Sequence, residues 1–241
     1  MITEEENNLL TQTGKGKPCG ELMRRYWQPA ALSDELAADK PFPVQLFGEE
    51  LVLFRDGTGT AALIGRYCAH QGVDMMYGRV EPDGLRCLYH GWLFDNCGKV
   101  LLRGDWLPEK ERRWDVGQPS YPVIESGGVI YTFMGVGDAP ALPGDGAPRA
   151  EIKRLPREHS YWQGIVGLNE TNMDDGQFFL PNVVRTSVLT RWLVPVDDKS
   201  HMEFVFHGAA VAQPAGEPLA NAGERLIGAL RDSASAAAAP S

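Results

Sequence analysis

Two mixed pairs of cysteine and histidine are the residues in this sequence whose types and spacing are best suited to chemistry. Cys68 and His70 flank one residue, Cys87 and His90 flank two, and sixteen residues separate the pairs. Thiolates and imidazoles are ligands for zinc and for iron–sulfur clusters. Because each pair occupies a short segment, two loops can each present one thiolate and one imidazole to a shared centre. The spacing therefore predicts a metal site with these four residues as its ligands.

The mixed composition of each pair favours an iron–sulfur cluster over a single zinc ion. Zinc fingers usually pair Cys with Cys and then His with His. In a Rieske centre two histidines replace two cysteines on one of two irons, so each loop would give its Cys to one iron and its His to the other. Gly72 and Gly91 would let backbone N–H groups approach the cluster sulfurs, and Tyr89 and Trp92 would shield the site. A zinc site and an apolar core around the same residues are the alternatives.

The segments around these ligands resemble the Rieske domain of ring-hydroxylating oxygenase α subunits, especially the phthalate dioxygenase-like branch. The resemblance covers about residues 14–136 and rests on CAHQG, RCLYHGWLFDNCGK, GELMRRYWQPAALSDEL and VQLFGEELVLFRD. It implies a [2Fe-2S] cluster and an electron-donating reductase or ferredoxin. It also implies O2-dependent hydroxylation of an aromatic small molecule at a separate mononuclear Fe(II), in a homotrimer.

The resemblance is weaker where the mononuclear iron should be bound. LNETNMDD, residues 168–175, is similar to the start of the family's iron motif. The resemblance implies that Asp174 hydrogen-bonds a cluster histidine of a neighbouring subunit and links it to the catalytic iron. The two histidine positions of the motif then fall on Gln177 and Asn182, which are not usual ligands of Fe(II).

The histidines outside the cluster do not replace the missing pair. They are His159, His201 and His207. On one regular strand His201 and His207 would face the same side about 20 Å apart, too far to share a metal ion. Residues 179–184 and 190–198 are similar to strands from much later in a full α subunit. The sequence is therefore interpreted as a relative of the α subunits that lacks their central catalytic region.

Composition and charge limit the classes of partner. The 241 residues suffice for one complete domain and part of another. A formal charge of −9 argues against a nucleic acid, which needs a basic face. No run of 18 apolar residues and no signal peptide are found, so we expect a cytoplasmic protein without a membrane partner. Cys19 and Cys97 are interpreted as free thiols without a function, because such proteins usually keep their thiols reduced.

Short apolar runs separated by turn residues predict a mainly β fold. We expect a short helix from Gly20 to Trp27, and strands over residues 43–47, 51–55, 61–65, 85–88, 92–95, 99–102, 121–124, 129–133, 178–184, 187–196 and 201–206. The first eight strands would form a Rieske-type all-β domain of antiparallel strands with two cluster-binding loops, followed by a partial α+β catalytic-type domain. The predicted divisions are 1–136 for the Rieske domain with an N-terminal arm, 137–148 for a Pro/Gly linker, 149–207 for the catalytic-type segment and 208–241 for an Ala-rich tail.

Three functions are compatible with these observations. The first is a relative of the oxygenase α subunits that accepts electrons from a reductase for O2-dependent hydroxylation, with the catalytic iron site missing from this chain. The second is a stand-alone Rieske electron carrier, and the third is a zinc-stabilised interaction module without redox activity. Iron content separates the third function from the other two, because a Rieske protein is coloured and a zinc protein is not.

Overall fold

The chain forms mainly antiparallel β structure, as predicted. The computed structural model describes residues 3–103, 116–142, 151–170, 177–179, 181–207 and 226–231. The described strands are β1 (Gln28–Leu32), β2 (Phe42–Leu46), β3 (Glu49–Arg55), β4 (Ala61–Gly65), β5 (Arg79–Glu81), β6 (Gly84–Arg86), β7 (Leu93–Phe94), β8 (Val100–Leu102), β9 (Ser120–Tyr121), β10 (Val123–Ser126), β11 (Val129–Thr132), β12 (Glu151–Arg157), β13 (Gln177–Phe179), β14 (Val183–Arg185), β15 (Leu189–Pro195) and β16 (His201–His207). The helices are α1 (Glu4–Thr11), α2 (Pro18–Arg24) and α3 (Tyr161–Glu170), and residues 226–231 are also helical.

The described strands pair in four sheets. Three of them lie in the first part of the chain, with the orders β1-β11-β10, β2-β3-β4-β9 and β5-β6-β7-β8. The fourth, called here the five-stranded sheet, has the order β12-β16-β15-β14-β13. Within the described part of the chain, no helix is long and apolar enough to cross a membrane.

The turn between β2 and β3 joins the first part of the chain to the five-stranded sheet. Its two residues, Phe47 and Gly48, both have positive φ, at 51° and 76°, as a two-residue hairpin turn requires. A non-glycine residue in this region is strained. Phe47 is fully buried, and its N–H donates to the carbonyl of Pro195. The N–H of Gly48 donates to the carbonyl of Val196. Packing and these hydrogen bonds offset the strain of the turn.

Two hydrophobic cores organise the described residues. The smaller core lies beneath the two ligand loops and contains residues between 52 and 94, among them Phe54, Trp92 and Phe94. The larger core combines residues of β1–β4, α2 and β11 with residues of α3 and the five-stranded sheet, such as Tyr161 and Phe204. The five-stranded sheet therefore packs on the first part of the chain, and the predicted domain divisions remain predictions.

Several elements differ from the sequence-based expectation. The predicted N-terminal arm contains helix α1, which was not predicted. It begins with a capping box, in which Thr3 and Glu6 each accept a hydrogen bond from the other's backbone N–H. Strands β5 and β12 were not predicted, because charged residues occupy many of their positions. Residues 143–148 of the expected linker, and all of the expected tail except residues 226–231, lie outside the described residues.

Candidate metal centre

The first ligand loop follows β4 and is closed by backbone hydrogen bonds around Cys68. The N–H of Cys68 donates to the carbonyl of Val73 at 2.8 Å, and its carbonyl accepts from the N–H of Gly72 at 2.7 Å. Gly72 has a φ of 72°, and an added Cβ would meet nothing within 4 Å. The loop therefore needs glycine here for its left-handed backbone, and His70 projects from the middle of the loop.

The second ligand loop, between β6 and β7, repeats this arrangement. Cys87 N–H donates to the carbonyl of Trp92 at 2.8 Å, and the carbonyl of Cys87 accepts from Gly91 N–H at 3.0 Å. Gly91 also has positive φ, at 69°. The two loops thus share one backbone design, in which glycine stands four residues after cysteine. The glycines thus have a conformational role, and their predicted role, close approach of backbone N–H groups to the cluster sulfurs, remains a prediction.

The two loops bring like side chains together. The Nδ1 atoms of His70 and His90 lie 2.9 Å apart, and the ring centroids are 4.6 Å apart at an interplanar angle of 64°. The thiols of Cys68 and Cys87 lie close enough for each to shift the pKa of the other. The site therefore has one pair of sulfurs and one pair of imidazole nitrogens. Two nitrogens bound to one metal ion at about 2.1 Å each would be about 3 Å apart at a right angle.

The surroundings of the two thiols shift their pKa values in opposite directions. The hydrogen bond with Cys87 raises the pKa of Cys68, and the same bond lowers the pKa of Cys87 to about 5. Backbone N–H groups also lower the pKa of each thiol: those of His70 and Gln71 at Cys68, and the corresponding groups of the second loop at Cys87. Such donors stabilise thiolates, which are the form that binds metal.

Aromatic residues cover one side of the imidazole pair. Trp92 is fully buried, and its ring stacks on His70 with centroids 4.6 Å apart and an interplanar angle of 8°. Tyr89 lies 4.0 Å from His90 between centroids, but it is 62% exposed. Trp92 thus shields the site as expected, whereas Tyr89 covers a ring only from the solvent side.

The donor set fits a two-iron cluster better than a single ion. Among the described residues, no three Cys, His, Asp or Glu side chains converge as the ligands of one metal ion would. The thiols pair with each other and the imidazoles pair with each other. A tetrahedral zinc site needs four ligands around one point, whereas a Rieske cluster needs two sulfurs on one iron and two nitrogens on the other.

The residues expected from the mononuclear iron motif do not form a described metal site. Asp174 lies outside the described residues, and Gln177 begins β13. Asn182 is fully buried, where its Nδ2 donates to Gln28 Oε1 at 2.8 Å and to the carbonyl of Leu193 at 3.0 Å. This amide joins β1 to the five-stranded sheet and is structural.

A second polar cluster, which the sequence did not reveal, lies under α3. His201 is buried with Nδ1 2.8 Å from the carbonyl of His159, and the two rings are 4.9 Å apart between centroids. Two residues further along β16, Glu203 is bound by Arg157 at 2.8 Å and by Arg191. These side chains line a cleft of about 190 Å³. The sequence signal that could have indicated this cluster was the alternation of side chains along β16, which places residues 201 and 203 on one face of the strand.

In this second polar cluster, the charge of Glu203 is neutralised by two arginines and His201 is uncharged near pH 7. Burial opposes ionisation of Glu203, but the hydrogen bonds from Arg191 and Arg157 lower its pKa overall. Burial lowers the pKa of His201, so the ring is neutral near pH 7. Since the carboxylate is saturated by two guanidinium groups, it is not available to complete a two-His, one-carboxylate site. His207, at the far end of β16, is exposed.

The comparisons with known proteins agree with the geometry of the ligand loops. The profile of the Rieske [2Fe-2S] domain matches residues 26–110. The chain is 41% identical over 146 residues to the 5,5'-dehydrodivanillate O-demethylase oxygenase subunit of Sphingobium sp. strain SYK-6, a match that covers 59% of this chain and 34% of the relative. It is 40% identical over 141 residues to the phthalate 4,5-dioxygenase oxygenase subunit of Pseudomonas putida, covering 58% of this chain and 32% of the relative.

The fold as a whole is similar to that of solved terminal oxygenases. The terminal oxygenase of carbazole 1,9a-dioxygenase from Novosphingobium sp. KA1 superposes with a TM-score of 0.63 at 17% identity, over 94% of this chain and 81% of that chain. In sequence, this chain spans about a third of the length of the curated relatives it matches.

Proposed function

We propose that this chain is a Rieske [2Fe-2S] protein related to the oxygenase subunits of ring-hydroxylating oxygenases, and that it accepts single electrons from a ferredoxin or reductase. Cys68 and Cys87 hold one iron of the cluster, and His70 and His90 hold the other. The observation that carries this proposal is the separation of the ligands into a sulfur pair and a nitrogen pair. When bound, the cluster supplies reversible one-electron transfer.

The protein around the cluster favours its reduced state. Two thiolates and two neutral imidazoles leave the oxidised cluster without net charge, whereas four thiolates would leave it doubly negative. Adding an electron to the neutral cluster is easier, and Rieske potentials accordingly lie between about −150 and +300 mV, against about −400 mV for plant-type ferredoxins. Backbone N–H groups at Cys68 and Cys87 stabilise negative charge on the two ligand sulfurs. Trp92 excludes water from one face of His70.

We further propose that this chain has no mononuclear iron site of its own. Support comes from Asn182, which is bound within the core, and from Glu203, whose carboxylate is taken by two arginines. Hydroxylation of an aromatic small molecule would then need an iron held by other residues. The electron-bridging role of Asp174 and the homotrimer are proposals that depend on such an iron. A stand-alone electron carrier is the second candidate, and it is favoured by the same two observations.

The proposed function is tested by anaerobic reduction with a ferredoxin and its reductase, followed by one exposure to O2 with a panel of aromatic acids. We expect about two irons and two sulfides per chain, uptake of one electron, and no hydroxylated product. A third iron or any hydroxylated product would show that a catalytic site exists. One zinc per chain without sulfide would contradict the cluster itself. Sedimentation of the reduced protein measures whether it is a trimer.

A further inference from the structure

We propose that Arg86, locked in place by Glu81, is a positioning residue that sets the orientation of both cluster histidines. The inference rests on the proposed cluster. Arg86 is the last residue of β6 and directly precedes Cys87. Its Nε and Nη2 donate to the two carboxylate oxygens of Glu81 at 2.6 and 2.7 Å. Its Nη1 donates to the carbonyl oxygen of Gly91 at 2.6 Å. A planar guanidinium can make all three bonds at once.

The contact with Gly91 fixes the second half of the ligand loop. The N–H of Gly91 is bound by the carbonyl of Cys87, and the carbonyl of Gly91 is bound by Arg86. Both peptide groups that flank this glycine are therefore held, and its left-handed backbone has no freedom to turn. Gly91 lies between His90, a proposed ligand, and Trp92, which stacks on His70. Through this one residue, Arg86 acts on the imidazoles of both loops.

Among the described residues, the first ligand loop shows no equivalent of this contact. Arg66 stands two residues before Cys68 and also binds a carboxylate, with Nη2 2.8 Å from Asp74 Oδ2. Its hydrogen bonds, however, go to Asp74 and Glu50, and Asp74 in turn accepts from the N–H of Met76 at 3.0 Å. Arg66 thus closes the base of its loop without reaching the tip. The residue that orients both histidines therefore belongs to the second loop.

The carboxylate of Glu81, which binds Arg86, is ionised near neutral pH. The hydrogen bond from Arg86 is the largest cause that lowers the pKa of Glu81, to about 2, and Arg79 contributes as well. Arg79 binds the same carboxylate, with Nε 3.0 Å from Oε1, but its side chain is 65% exposed. Among the described residues, the hydrogen bonds of Arg79 go to Glu81 and none goes to the loop. Arg79 is therefore a control that carries the same charge beside the same anchor.

The test compares four variants of the full chain after cluster assembly: Arg86→Gln, Arg86→Lys, Glu81→Gln and Arg79→Gln. The readouts are the rate of iron release to a chelator and the EPR g-values of the reduced cluster. We expect Arg86→Gln and Arg86→Lys to release iron at least about ten-fold faster than wild type and to show shifted g-values. Lysine keeps the charge but cannot span Glu81 and Gly91 together. Arg79→Gln should match wild type, and Glu81→Gln should shift in the direction of Arg86→Gln.

Several outcomes would overturn the inference. If Arg86→Lys matches wild type, or if Arg79→Gln shifts as Arg86→Gln does, the effect is one of charge and not of position. If iron release rises while the g-values of the remaining cluster are unchanged, Arg86 only stabilises the fold. Should Arg86→Gln fail to fold, Arg86→Lys and Glu81→Gln decide the question with the same readouts. Wild-type protein that assembles no cluster would contradict the proposed function, and with it this inference, before any variant is compared.

Discussion

Each histidine that replaces a cysteine at the cluster removes one negative charge from the ligand set. In this structure the two histidines lie side by side, with the Nδ1 atoms of His70 and His90 2.9 Å apart. The thiols of Cys68 and Cys87 form the other pair. In the proposed cluster, one iron would therefore have an all-sulfur environment and the other a nitrogen-rich one. The added electron is expected on the nitrogen-bound iron, where negative charge is lower.

Replacing His90 by cysteine should lower the reduction potential of the cluster. A third thiolate adds a negative charge, so we expect a shift from the Rieske range of about −150 to +300 mV toward the value near −400 mV of all-cysteine clusters. An EPR-monitored redox titration measures the shift. His207→Cys, on an exposed residue at the far end of β16, is the matched control. A fully loaded His90→Cys protein with the wild-type potential would contradict the assignment of His90 as a ligand.

His201 should make the folded chain sensitive to mild acid. Burial lowers the pKa of His201 below its ordinary value of 6.5; the hydrogen bond to His159 and the charge of Glu203 oppose this shift, and Arg157 adds to it. The unfolded state then binds more protons below pH 6.5, so this contribution to stability is present above pH 6.5 and is lost as the pH falls below it. Urea unfolding of the chain without cluster between pH 7.5 and about 5 should show a shallower pH slope for His201→Asn. An unchanged slope would count against a buried neutral ring.

The roles of single residues could be predicted from the sequence where the pattern was local. They could not be predicted where a role depends on a contact between residues far apart in the sequence. The four ligand candidates stand in two short loops, so their spacing alone indicated the cluster. The contact of His201 with His159 joins residues far apart in sequence, and the burial of Asn182 depends on Gln28 in another sheet. Neither contact leaves a periodic signal. The exposure of Tyr89 depends on how its loop projects, which the residue type does not determine.

At the scale of elements, the two ligand loops use one backbone shape that depends on glycine at positive φ. Replacing Gly72 by alanine should cost about 1–2 kcal/mol, because a Cβ is disfavoured in the left-handed region even where there is space for it. Gly14→Ala is the control, because Gly14 also has open space but lacks positive φ. Denaturant unfolding measures both variants. Equal stability of the two variants would show that the first loop is not held in this conformation.

The elements found from sequence were those with clear apolar alternation and glycine-rich turns, such as the hairpin of β2 and β3. Helix α1 was missed although Thr3 and Glu6 form a capping box, because its apolar residues are few. Strand β12 was missed because its seven residues are mostly charged or partly exposed, and its pairing with β16 stabilises it. For β12, a tertiary contact supplied what local propensity did not.

At the scale of the whole molecule, one core is shared by the first part of the chain and the five-stranded sheet. A variant that ends at residue 142 would lose Tyr161, Trp162, Phe204 and Phe206, all buried in that core. Each buried aromatic side chain contributes about 1.5–3 kcal/mol, so we expect the shortened protein to unfold at lower denaturant and to bind a hydrophobic dye. The smaller core beneath the loops would be intact. Wild-type stability of the shortened protein would show that residues 1–142 fold independently.

The central claim is that one cluster has two chemically different irons, one bound by Cys68 and Cys87 and the other by His70 and His90. Mössbauer spectroscopy of the full chain assembled with ⁵⁷Fe tests this claim most directly, because it reports each iron site separately. The account predicts two quadrupole doublets of equal area in the oxidised protein, and on reduction a ferrous signal that replaces only the doublet of the nitrogen-bound iron. A single doublet from two equivalent irons, or a protein that takes up zinc and no iron, would contradict it.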